Sequence, residues 1–251
     1  QLGEGTAFTT SSDSESALHL YSRERQQTAE RLDGMFAFAL ADGPDLYVAR
    51  DPLGIKPLYF HESDGVMHFA SELKALSGVT DRATAFPPGT WYHSDRGFHR
   101  FWQVPIVTPQ ERSVDDHCRL LRRTLERAVA KRMMSDVPVG AFLSGGLDSS
   151  IIAAMARQHV DQLHTFSVGI EGSSDLAAAR LVSDYLGTIH HEFVFTPDDV
   201  MAAVEDVLFH MESYDRDLVT SGIPCYFTSR LASDWVKVIL TGEGADELFA
   251  G

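Results

Sequence analysis

The segment that most restricts how this 251-residue chain can fold runs from Val137 to His159. An apolar stretch, Val137–Leu143, ends in Ser144-Gly145-Gly146-Leu147-Asp148-Ser149-Ser150, and a second apolar stretch, Ser149–His159, follows at once. The first has the length and composition of a buried strand, the second the length and spacing of a helix. The rhythm continues with a strand over Leu163–Gly169, a helix over Asp175–Leu186 and a strand over His190–Phe195. Helices over Asp198–Met211 and Ile223–Ser233 and a strand over Val236–Leu240 complete it. Such alternation predicts right-handed crossovers and a mostly parallel sheet, with ligands bound beyond the carboxyl ends of the strands.

Two loops at those ends carry chemistry. In Ser144–Ser150 the paired glycines let the backbone turn tightly and approach a ligand, and the first N–H groups of the following helix point at an anion. The hydroxyls of Ser144, Ser149 and Ser150 add donors. The Gly-x4-Gly-Lys-Ser/Thr pattern is missing, and Asp148 stands in the loop instead; a carboxylate beside phosphates calls for a bridging cation such as Mg²⁺. A second loop, Thr241-Gly242-Glu243-Gly244-Ala245-Asp246-Glu247, again combines glycines with acids after a strand. The shared sheet edge is expected to bring Asp246 towards Asp148, a pair of carboxylates suited to Mg²⁺ on a polyphosphate.

Upstream the pattern is β-rich. Met35–Leu40 and Leu46–Ala49, Pro57–Phe60 and Val66–Ala70, and Trp91–His93 and Phe98–Trp102 are three pairs of short apolar runs joined by turn residues, hence three hairpins. Glu15–Arg31, free of Gly and Pro, is expected to be a helix before the sheet. Pro105 and Pro109 mark a boundary that separates residues 1–104 from 105–251. Beyond it, a helix over Asp115–Met134 places Leu120, Leu121, Leu125, Val129 and Met133 at helical spacing. Its arginines (Arg119, Arg122, Arg123, Arg127) are expected on a solvated face, paired with Asp115, Asp116 and Glu126. The net charge of −15, with 15 acids against four bases over 171–251, argues against nucleic acid or an anionic membrane as the partner. No uncharged run exceeds 12 residues, short of a membrane-spanning helix. No signal-peptide pattern opens the chain, and Cys118 and Cys225 lack metal-type spacing, so a cytoplasmic setting is expected. Gln1 at the start and a loop-like run before Gly251 are read as the ends of a piece of something longer.

Ser144–Ser150 resembles the PP-loop of ATP pyrophosphatases. Thr241–Glu247, followed by Leu248-Phe249-Ala250-Gly251, resembles the second signature of the glutamine-dependent asparagine synthetases. Leu32–Phe38, Ala49–Tyr59 and Phe69–Lys74 are similar to that family's N-terminal glutaminase domain. The fold class implied is α/β overall: a truncated αββα Ntn-type glutaminase domain, then a parallel-sheet α/β ATP-pyrophosphatase domain. Members hydrolyse glutamine in one domain, pass ammonia through a tunnel, and amidate an aspartate activated as an acyl-adenylate, giving asparagine, glutamate, AMP and pyrophosphate. The resemblance thus implies ATP and Mg²⁺ as cofactors, glutamine and aspartate as substrates, and a homodimer. Asp13, in Ser12-Asp13-Ser14-Glu15, matches the acid that holds the glutamine amino group. Leu143 and Val168 match positions at the adenine and ribose; Ser144, Gly145, Gly146 and Ser149 match the pyrophosphate grip; Asp148 and Asp246 match the magnesium ligands. Thr241 and Gly242 stand near the nucleotide, and Glu243 matches a group at the acyl centre that can take a proton from attacking ammonia.

The departures from that pattern carry their own expectations. The family's N-terminal nucleophilic cysteine, its Arg-Gly-Pro and Asn-Gly-Glu segments, and the C-terminal lysine and acid of the synthetase are missing from this sequence. The polypeptide is therefore expected neither to hydrolyse glutamine nor to complete the synthesis. Cys118 and Cys225 fall within helical patterns and are expected to be packing residues. Thr220-Ser221-Gly222 stands where some members place aspartate with an Arg and a Ser. Two alternatives remain open: a related PP-loop enzyme that forms an amide or lactam on another carboxylate, or a non-catalytic nucleotide-binding paralogue. His190 and His191 should face opposite sides of a strand and so not share a metal. Lys56 fits a domain interface and a turn cap equally, and Trp91, Trp102 and Trp235 are expected as packing anchors.

Overall fold

The computed structural model describes residues 7–108 and 110–249. Ala250 and Gly251, quoted with the second signature, lie outside them. The chain divides into two compact units, 1–109 and 110–251.

In the first unit, α1 (Glu15–Glu24) and the single turn α2 (Thr28–Arg31) precede β1 (Ala37–Asp42), β2 (Asp45–Arg50), β3 (Tyr59–Ser63) and β4 (Val66–Ala70). Then come β5 (Thr84–Ala85), β6 (Thr90–His93) and β7 (Gly97–Arg100). The three expected hairpins form, β1 with β2, β3 with β4 and β6 with β7. The β3–β4 turn shows why: Asp64 and Gly65 both adopt positive φ, 50° and 75°, as a two-residue turn between right-twisted strands requires. The strands make one sheet in the order β1-β2-β6-β7 and another in the order β4-β3-β5. Strand β2 sets the layering because both its faces are buried. Tyr47 and Ala49 meet Tyr21 and Ala29 of the helices on one side, while Val48 meets Leu58 and Phe86 on the other. Helices, first sheet and second sheet are thus stacked in that order.

The single helix expected over Glu15–Arg31 is broken. Arg25 takes φ 54° and a 3-10 turn covers Arg25–Gln27. The buried Tyr47 hydroxyl accepts the Ala29 N–H (3.2 Å) and donates to the Gln26 carbonyl (3.1 Å), satisfying backbone groups at the break. Burial pushes that phenol well above its ordinary pKa. In the loop after β2, the buried Asp51 carboxylate accepts the N–H groups of Leu53, Ile55 and Lys56. The Lys56 backbone is fixed in this way while its side chain is exposed.

The second unit comprises α3 (Val114–Arg132), β8 (Val139–Phe142), α4 (Leu147–Arg157), β9 (His164–Gly169) and α5 (Ser174–Leu186). It continues with β10 (Ile189–Val194), α6 (Pro197–Met211), α7 (Arg216–Ser233), β11 (Val238–Leu240) and α8 (Ala245–Phe249). The sheet order is β10-β9-β8-β11, and every neighbouring pair is parallel. Ala141 and Leu143 pack with Ala153 of α4 and Ala179 of α5. Phe166 packs with Ala232 of α7 in a separate cluster.

Several local expectations are corrected. Helix α7 begins at Arg216, not Ile223, because Asp215 caps it by accepting the Asp217 and Leu218 N–H groups (both 3.0 Å). Thr220-Ser221-Gly222 is therefore helical, although Gly222 and Pro224 read as breakers. Met211 lies over the glycine, its Sδ 2.0 Å from where a Cβ at 222 would stand. Helix α4 begins at Leu147, which puts Asp148 and Ser149 in its first turn. On α3 only Val129 is buried, while Leu120 and Leu121 are 48% and 41% exposed. Cys118 and Cys225 are both exposed rather than packed.

Candidate active site

The sheet order reverses at β8. The chain moves from β8 to β9 and β10 on one side, then returns through α6 and α7 to lay β11 on the other. A crevice between diverging crossovers forms at such a switch, at the carboxyl edge of the sheet. The loops after β8 and β11 flank it.

The first loop is built on two contacts. Gly145 has φ 80°, and a Cβ there would fall 2.5–2.7 Å from Ala178 Cβ, Ala178 C and Ala179 N, so the loop rests directly on the backbone of α5. Ser149 Oγ is its internal hub: it accepts the Ser144 N–H (3.2 Å), lies 2.9 Å from Ser144 Oγ and donates to the Gly146 carbonyl (3.3 Å). Ser150 Oγ donates to the same carbonyl at 2.6 Å, and Ser144 Oγ accepts the Gly146 N–H at 3.3 Å. Gly146 caps α4 without a side-chain bond. Among the described residues no acceptor meets the N–H groups of Leu147, Asp148 and Ser149, which head an 11-residue helix. Those three amides, with the partial positive charge of the helix end, are placed as donors that an anion could meet.

The second loop touches the first. A Cβ on Gly242 would lie 2.9 Å from Asp148 Cβ and 3.0 Å from Asp148 C and Ser149 N, so only glycine admits this approach. Thr241 Oγ1 accepts the Glu243 N–H (3.0 Å), and the Gly242 carbonyl accepts the Ala245 N–H (3.2 Å). Asp148 is half-buried; Glu243 and Asp246 are exposed, Asp246 in the first turn of α8. Among the described residues no three His, Cys, Asp or Glu side chains converge into a closed metal cage. An open set of carboxylates and hydroxyls fits Mg²⁺, which takes one or two carboxylates and completes its shell with water and substrate phosphates.

Leu143 and Val168 are held by the core of the second unit instead. Leu143 is buried in the core and its N–H donates to the Phe166 carbonyl (2.9 Å). Val168, half-buried at the end of β9, packs on the cluster of Ala203, Val207 and Phe227. Asp13 belongs to the first unit, exposed in the turn before α1, where its carbonyl accepts the Ser16 N–H (2.9 Å). His190 and His191 do face opposite ways: His190 meets Thr165 and Ser167, and His191 meets His164 at 2.9 Å.

Two groups near these sites escaped the sequence reasoning. Glu15 accepts the hydroxyls and N–H groups of both Thr9 and Thr10 at 2.6–3.0 Å and meets His19 Nε2 at 3.0 Å, with its side chain 8% exposed. The bonds from Thr10 and Thr9 hold its carboxyl far below the usual carboxylate range. A paired threonine shortly before an acid in the first helical turn is the signal that could have found it. The other is Ala178-Ala179, whose small side chains let α5 approach the glycine loop.

A family model described as asparagine synthase matches residues 120–251, and one described as a glutamine amidotransferase domain matches residues 1–78. The asparagine synthetase [glutamine-hydrolyzing] 2 of Arabidopsis thaliana is 45% identical over 97% of this chain and 45% of its own length. The asparagine synthetase [glutamine-hydrolyzing] of Zea mays is 43% identical over 97% of this chain and 44% of its own length. Among solved structures, the glutamine phosphoribosylpyrophosphate amidotransferase of B. subtilis covers 75% of this chain and 40% of its own at 21% identity and a TM-score of 0.34. The chain spans a little under half the length of these curated relatives. With more than half of its residues matched by one family model, and both glycine loops inside the matched span, the chain belongs to the asparagine synthase family.

Proposed function

We propose that this chain carries the ATP-binding and acyl-transfer loops of a glutamine-dependent asparagine synthetase, with part of the glutaminase domain ahead of them. The contact of Gly242 with Asp148 carries this reading, because it joins two glycine- and acid-bearing loops at one crevice. The N–H groups of Leu147, Asp148 and Ser149 and the hydroxyls of Ser144 and Ser149 take the pyrophosphate portion of ATP. Mg²⁺, held by Asp148 and Asp246 together with the phosphates, would neutralise charge on the departing group. The aspartate side-chain carboxylate attacks the α-phosphorus, the bond to the bridging oxygen breaks, and pyrophosphate leaves into donors that act most strongly as its charge grows. Ammonia then attacks the acyl carbon, Glu243 takes a proton from the attacking nitrogen, and AMP departs. Asp13 holds the amino group of the glutamine whose amide nitrogen supplies the ammonia. The protein is read as cytoplasmic, in keeping with its charge of −15 and with the absence, among the described residues, of a helix long and apolar enough to cross a membrane.

The test is a chimaera in which these residues replace their counterpart in the Arabidopsis relative, assayed for pyrophosphate release with MgATP, glutamine and aspartate. Release that requires aspartate and drops roughly a hundredfold or more in Asp148→Ala is expected. Release with another carboxylate would move the acceptor, and none from a folded chimaera would leave nucleotide binding alone.

A further inference from the structure

Helix α5 is the floor of the phosphate loop. The contact at Gly145 is backbone on backbone, with Ala178 C and Ala179 N at 2.6 and 2.7 Å from a would-be Cβ, so no flexible side chain cushions it. Any shift of α5 is passed to the loop. At that point the contact is made by Ala178 and Ala179, which present few atoms, while the larger apolar side chains of the helix, Leu176, Val182 and Leu186, pack on the core to either side. Apolar packing is also non-directional and does not by itself fix a helix along its axis.

Two directional latches do so. Ser183 is buried, and its Oγ lies 2.8 Å from Thr188 Oγ1. From there a chain of bonds runs to Thr165 Oγ1 (2.8 Å), His190 Nδ1 (2.9 Å) and, from His190 Nε2, to Ser167 Oγ (3.1 Å), linking α5 through the turn before β10 to β9 and from there to β10. Three residues earlier on the same helix, Arg180 donates through Nε (2.8 Å) and Nη2 to Oε2 of Glu192 on β10. Residues three apart share a helix face, so the two latches tie one face of α5 to β9 and to the edge strand β10.

We propose that Ser183 and the Arg180–Glu192 pair are positioning residues for the Ser144–Ser150 loop: they set where α5 sits on the sheet, and α5 sets where Gly145 and the donors after it stand. The functional part of this inference rests on the nucleotide reading above; the structural part does not.

The experiment uses the chain itself, with Ser183→Ala, Glu192→Gln and, as a control at an ion pair in the other unit, Asp42→Asn. Two quantities are measured: the amide resonances of Gly145 and Gly146 without ligand, and the Kd for Mg²⁺-pyrophosphate by calorimetry. Ser183→Ala and Glu192→Gln are expected to remain folded, to shift both glycine resonances and to raise Kd about three- to tenfold. Asp42→Asn should move neither. A purely structural role would lower the melting temperature while leaving the resonances and Kd at their wild-type values, and that result overturns the proposal. If Ser183→Ala does not fold, the partly exposed Glu192→Gln decides. If the wild-type chain does not bind Mg²⁺-pyrophosphate, the nucleotide reading fails, and the glycine resonances alone then decide whether the latches position the loop.

Discussion

Replacing Gly145 by alanine tests how the first loop is held. At φ 80° an L residue loses about 1–2 kcal/mol relative to glycine. The new methyl would also meet α5 at 2.5–2.7 Å, against two backbone atoms that cannot rotate away, and overpacking of that kind costs about 1–3 kcal/mol. The two effects act on the same residue and together predict a loss of about 2–5 kcal/mol. For a unit of this size each kcal/mol lowers Tm by about 3 °C, so the variant should melt roughly 6–15 °C early. Gly146 is the internal control: its φ is −70° and the nearest atom to a Cβ there is Ser144 Oγ at 3.4 Å, so Gly146→Ala meets no clash and loses only glycine's advantage over alanine at a helix N-cap, about 1 kcal/mol or less. Calorimetry of the chain, with far-ultraviolet circular dichroism in urea as a second probe, measures both. A Gly145→Ala protein that melts with wild type, or a Gly146→Ala protein that falls as far, would refute the account of the loop resting on α5.

Ser149→Ala removes the hydroxyl that meets Ser144 and Gly146, and should weaken Mg²⁺-pyrophosphate binding about fivefold by calorimetry with the fold intact. Asp148→Asn and Asp246→Asn should each weaken the Mg²⁺ dependence of that binding, seen as a flatter response when Mg²⁺ is titrated at fixed pyrophosphate; an unchanged response would remove that residue from the cation site. Glu15 supplies a pH test. Its folded carboxyl titrates far below the unfolded one, so its stabilisation is complete above the unfolded pKa of about 4.3 and is lost as pH falls through the lower folded value. The Tm gap between wild type and Glu15→Gln should be widest near pH 7 and close in strong acid; a gap independent of pH would show that the charge does not matter.

Elements with a clear period were readable in advance. The four parallel strands were legible because each apolar run had a helical run behind it, and the hairpins because turn residues sat between them. What escaped were features decided by distant partners. The break at Arg25 depends on Tyr47, and the early start of α7 on the Asp215 cap. The exposure of Leu120, Leu121, Cys118 and Cys225 was illegible because periodicity shows that a face is apolar without showing what covers it. At the site, the glycines and acids were visible as residue types at plausible spacing. That Gly242 lies on Asp148, and Gly145 on α5, required the order of strands in the sheet.

That order also governs when the crevice can exist during synthesis. Strand β11 pairs with β8 across about a hundred intervening residues, Val139 opposite Val238, so the pairing closes a long loop and comes late in folding. A ribosome adding about 5–20 residues per second would release Ser144–Ser150 roughly 5–20 s before Thr241. Through that interval β8 presents a bare edge to other nascent chains, and an unpaired edge of that kind is where misassociation begins. Chaperone dependence of the newly made chain should therefore fall once Leu240 has emerged.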